Sequence, residues 1–144
     1  MGGALYGEEK EIRDIVEKFE TCAFALQEFT HARHATVACW YLCSMKPGEA
    51  MDRMRAGLQR FIAHHGRQGY HETITRFWME LLGDCLRGLP EAMGTVEKIN
   101  RVVATHGQKD LVFRYYSREA VLSETARKEW VEPDVNSWRS VPTR

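Results

Sequence analysis

Two short stretches carry side chains able to do chemistry together. In Phe29-Thr30-His31-Ala32-Arg33-His34, two histidines stand three residues apart at the expected start of a helix, a spacing that turns both imidazoles to one side. In Tyr70-His71-Glu72-Thr73-Ile74-Thr75, a third histidine and an adjoining carboxylate fall in the first turn of another expected helix. Neutral imidazoles are good ligands for zinc, iron, nickel and copper, and a set of three leaves a position open for water or substrate. The pattern therefore predicts one divalent transition metal, zinc or iron, held by His31, His34 and His71. Glu72 is the expected catalytic group, as general base for metal-bound water or as a fourth ligand.

Both stretches head stripes that read as inward-facing. Ala38 and then Tyr41 or Leu42 continue the face of His31 and His34, while Ile74, Thr75, Trp78 and Leu82 continue that of His71. Tyr41, Tyr70, Thr75 and Trp78 are thus expected around the ion, and His65, on the apolar stripe of the intervening helix, near it. The competing reading is plainer: inward-leaning histidines bonded to backbone carbonyls or a carboxylate. Helix N-termini also repel a cation, by about 0.3–1 kcal/mol when exposed, yet the same dipoles favour the neutral imidazole that binds metal. His64 and His65 suit a helix C-terminus, and His106 before Gly107 suits a cap.

The elements that must position these groups are helices. Ile12, Ile15, Val16 and Phe19 mark a first helix over residues 8–21, whose end is blurred. Thr30 can cap a second running to about Ser44, and Pro47-Gly48 then break the chain. A third is expected from about Glu49 to His65, stopped by Gly66, with Met51, Met54, Leu58, Phe61 and Ile62 on one stripe. The fourth starts near Tyr70 or His71 and reaches about Arg87; the fifth runs from Pro90 to about His106. The tail from Lys109 onward holds enough apolar surface to dock, with one short extended piece allowed at 111–116 and looseness expected only after Asp134. The result is a single all-α domain over residues 1–144, a compact bundle of about five helices. Short connections make the second and fourth helices parallel, which brings the histidine-bearing ends together.

Composition excludes several partners. Twenty Lys plus Arg balance 20 Asp plus Glu, so no overall field gathers nucleic acid or anionic lipid. No apolar run approaches the roughly 20 residues of a membrane span, and Met1 to Gly7 lacks the features of a leader or a lipidation signal. Cys22, Cys39, Cys43 and Cys85 show no CxxC spacing and read as reduced, which points to the cytoplasm. The methionines of the third helix suit a homodimer surface as well as a core.

Taken together, the two histidine stretches, Tyr115-Tyr116-Ser117 and Trp130-Val131-Glu132-Pro133-Asp134 resemble a group of small bacterial proteins with no assigned activity. The resemblance covers most of the chain from Phe29 to Asp134 and implies that Tyr116 and the Trp130 segment line or cover the same pocket. The leading expectation is a metal-dependent enzyme acting on a small molecule, by hydrolysis or hydration with zinc, or by oxygen-using or isomerising chemistry with iron. A non-catalytic module that binds a metal or small ligand, and a metal-free helical interaction domain, are the alternatives.

Overall fold

A computed structural model describes residues 5–138. Five long helices form the bundle: α1 (Glu9–Glu20), α2 (His31–Ser44), α3 (Pro47–His64), α4 (Glu72–Arg87) and α5 (Thr95–His106). Two short ones, α6 (Arg118–Val121) and α7 (Glu124–Lys128), belong to the tail, and no strand occurs among the described residues. No helix among them is long and apolar enough to cross a membrane.

Helix α2 is the hub, packed against α1, α3, α4 and α5. That position explains its composition. A helix touched on several sides cannot be amphipathic, and Ala35, Thr36, Val37, Ala38 and Cys39 are consecutively buried, their small side chains letting neighbours approach closely. Around it the core collects Ile12, Val16 and Phe19 from α1, Met54, Leu58 and Phe61 from α3, Phe77, Trp78 and Leu82 from α4, and Ile99, Val102 and Val103 from α5.

Three boundaries depart from expectation. Pro47 opens α3 rather than breaking the chain, because a proline at the first position loses only an amide that has no helical partner; Glu49 Oε1 accepts from the Lys46 amide 3.2 Å away. The same logic fails at Pro90: residues 90–93 close a turn, with the Met93 amide donating to the Pro90 carbonyl at 3.0 Å, and α5 begins only at Thr95. The segment that allowed an extended piece is a tight 3₁₀ stretch, Lys109–Arg114. Beyond Asp134, the Val135 amide donates to the Tyr115 carbonyl at 2.9 Å, so the chain stays tied there; residues 139–144, and the start of the Met1–Gly7 segment, lie outside the described residues.

Candidate functional site

Thr30 begins the site. Its hydroxyl accepts from the Arg33 amide at 3.3 Å and its carbonyl from the His34 amide at 2.9 Å, which fixes His31 as the first residue of α2 and His34 one turn later. The two rings lie 6.2 Å apart, centroid to centroid. His34 stacks on Phe29 at 5.4 Å, and His31 tilts against Trp78 of α4 at 4.5 Å. Between α2, α3 and α4, the side chains of His31, His34 and Trp78 border a cavity of about 10 Å³, room for about one water-sized sphere. Its wall comprises His31, His34, Ala35 and Ala38 of α2, Met54 of α3, and Thr75, Trp78, Met79 and Leu82 of α4.

His31 Nε2 is buried and has no hydrogen-bond partner among the described residues. Such an atom forgoes hydration for nothing, at a cost of about 1–3 kcal/mol, and an unsatisfied buried group of this kind calls for an occupant or a function. Burial lowers the His31 pKa, with the nearby His106 backbone opposing the fall and Lys109 adding to it. His34 is lowered to about 4, by burial first and then by His31. Both rings are therefore neutral near pH 7, the form that offers a lone pair.

The third histidine sits elsewhere. Since α2 and α4 run parallel, with His31 beside Trp78 and Leu42 beside Gly83, the expected direction of the two helices holds. Their register does not bring the N-termini level: seven residues of helix, about 10 Å of rise, separate His71 from Trp78. His71 instead caps α4. Its Nδ1 accepts from the Ile74 amide at 3.1 Å, and its Nε2–H donates to the Val121 carbonyl at 2.6 Å, so both ring nitrogens are used within the protein. Burial lowers this histidine as well, against the Val121 carbonyl.

Glu72 is equally engaged. Arg55 of α3 grips it with two parallel bonds, Nε to Oε1 at 3.0 Å and Nη2 to Oε2 at 2.8 Å, and the Tyr70 hydroxyl donates to Oε1 at 2.7 Å. The Arg55 fork holds the carboxyl below its usual range, although burial pushes the other way. A general base works best with a pKa near the operating pH, and this one is moved away from it.

Of the remaining expected pocket residues, Thr75 and Trp78 line the cavity. Tyr41 turns toward α1, donating to Glu20 at 2.5 Å with Arg53 over its ring. Tyr70 serves Glu72, and the His65 Nε2 lies 3.0 Å from the Phe24 carbonyl. Tyr116 packs edge-on to Phe77 and donates to the Val131 carbonyl at 2.6 Å. Sequence reasoning passed over Arg55 as the partner of Glu72, and over Met54 and Met79 as cavity wall. The i, i+4, i+7 run Thr75, Met79, Leu82 was the signal for Met79.

No group of three or more His, Cys, Asp or Glu side chains among the described residues is placed to hold a metal. Apart from His31 and His34, the lining residues with a soft donor atom are Met54 and Met79. A much larger open cleft of about 740 Å³, lined by Pro47, Met51, Arg76, Glu80, Asp84 and Arg87 among others, lies on the surface. Its charges pair internally, Arg76 with Glu80 at 2.7 Å and Arg87 with Asp84, leaving little unspent charge to recognise a ligand. No family model, curated protein or solved structure matches the chain.

Proposed function

We propose that this protein is a helical metal-binding module in which His31 and His34 hold a single transition-metal ion in the cavity between α2, α3 and α4. The observation that carries the reading is the His31 Nε2 atom, buried and without a partner among the described residues, on a side chain that lines a space of about one ion or water. A binding role is favoured over metal-dependent hydrolysis because His71 and Glu72, the groups that reaction would need, have their polar atoms committed to Ile74, Val121, Arg55 and Tyr70. The cytoplasm is the compartment we propose, since Cys22, Cys39, Cys43 and Cys85 are all free thiols and a reducing environment keeps them so.

Calorimetric titration of the full chain with zinc, as a general imidazole-seeking ion, tests the reading. One equivalent binds the native chain, and His31→Ala or His34→Ala abolishes the heat. His71→Ala keeps the binding but loses about 1–2 kcal/mol of folding stability, because it removes the α4 cap and the link to Val121. Loss of binding in His71→Ala with retention in His31→Ala would restore the catalytic reading, in which His71 swings from its carbonyl and Glu72 from Arg55.

A further inference from the structure

The composition of the cavity wall discriminates among metals. The lining residues able to donate to a metal are two histidines and two methionines, contributed by α2, α3 and α4, and all four side chains are neutral near pH 7. Among the described residues no carboxylate or thiol side chain lines it; the lining otherwise consists of Ala35, Ala38, Leu82, Thr75 and Trp78. The Thr75 hydroxyl already donates to the His71 carbonyl at 2.8 Å. Met54 and Met79 are themselves 0% and 4% exposed, so their sulfurs belong to the interior rather than to solvent.

Two physical arguments converge from this. The Born cost of burying an ion grows with the square of its charge, so in a wall without counter-charge a divalent ion bears about four times the penalty of a monovalent one. The N-terminal end of α2, carrying partial positive charge beside the cavity, sharpens that preference. Thioethers are soft ligands that select copper(I), whereas zinc and iron sites draw on thiolate, imidazole and carboxylate. Methionine's three rotatable bonds let a polarisable sulfur adjust to an ion in a narrow space.

We infer that the ion is copper(I), held by His31, His34, Met54 and Met79 at the α2–α3–α4 junction. This assignment rests on the reading of the cavity as an ion site and extends it to the two methionines. It also gives Trp78, in ring contact with His31, a role as a reporter, since a cation seated against the indole face alters its fluorescence.

The test is an anaerobic competition for copper(I) between the full chain and bicinchoninate, with zinc titrated in parallel. One copper(I) per chain is expected, with Met54→Leu and Met79→Leu each weakening it by at least about tenfold and leaving zinc affinity unchanged. Leucine nearly conserves volume at both positions, and circular dichroism verifies the fold. Copper(I) affinity unaffected by both substitutions overturns the assignment while leaving the histidine site intact. Zinc binding without copper(I) binding overturns it in the same way, and a native chain that binds neither ion removes both readings. X-ray absorption of the copper(I)-loaded native chain decides the matter even where a variant fails to fold: sulfur in the first coordination sphere is expected, and nitrogen alone contradicts it.

Discussion

At the scale of single residues, imidazoles of one sequence take up different work according to what surrounds each nitrogen. His71 spends one nitrogen on a backbone amide and the other on a carbonyl, and becomes a structural clip between α4 and the tail. His31 keeps a buried nitrogen without a partner among the described residues. This distinction was invisible in the sequence, because Val121, the acceptor that engages His71, lies 50 residues away and in the tail, where apolar content alone says nothing of carbonyl direction. The HxxH pair was legible, since spacing along one helix fixes which side chains share a face. The partner of Glu72 was not: Arg55 is 17 residues earlier on a separate helix.

The same burial has a consequence for pH. His34 falls from 6.5 to about 4 on folding, so between those values the unfolded chain binds a proton that the folded chain refuses. The contribution of His34 to the stability of the metal-free protein is therefore fully present above pH 6.5 and is lost as the pH falls toward 4. The loss assigned to His34 is roughly 2 kcal/mol, less than the full shift because the ring keeps some solvent contact. His31 and His71, lowered by burial in the same direction, add to it. Urea titrations across this range, in the presence of a chelator, should show a steeper slope for the native chain than for His34→Gln. Equal slopes would mean that His34 does not resist protonation in the fold.

At the scale of elements, helix ends decide how much can be read in advance. The end of α3 was legible because Gly66 occupies a left-handed position, φ 67°, with the Arg67 amide bonded back to the Ile62 carbonyl at 3.0 Å. Helix α1 stops by the same device, the Ala23 amide reaching the Lys18 carbonyl at 2.7 Å and the Cys22 amide the Phe19 carbonyl at 3.1 Å. There, however, the left-handed residue is Cys22 at φ 58°, and without a glycine the end looked blurred. A β-carbon in that region costs about 1 kcal/mol. Cys22→Gly should accordingly raise stability by roughly 0.5–1 kcal/mol in chemical denaturation. A drop would show that the Cys22 thiol's 3.9 Å approach to the Arg60 carbonyl outweighs the backbone strain.

At the scale of the molecule, the direction of the helices followed from short connections, but their register did not. The early turns of α4 project past the start of α2, and the tail covers them: Thr73, fully buried, donates to the Glu129 carbonyl at 2.8 Å and accepts from the Val131 amide at 3.1 Å. Tyr116 braces the same segment through the Val131 carbonyl. Patterning along each helix is a local property and sets only which face turns inward. The axial offset between α2 and α4 emerges from packing among α2, α3 and α4 together, and it puts Trp78, not His71, opposite His31. This offset places two core methionines within the wall that the histidine pair closes, so the site draws on residues that periodicity assigns to ordinary packing.

The central claim, an ion held by the α2 histidine pair, is met most directly by anomalous diffraction from crystals of the metal-loaded full chain, collected at the absorption edge of the bound metal. The account expects one peak per chain, within bonding reach of about 2 Å from His31 Nε2 and a ring nitrogen of His34. A peak beside His71 and Glu72, or crystals saturated with metal that show no ordered peak in the cavity, would contradict it.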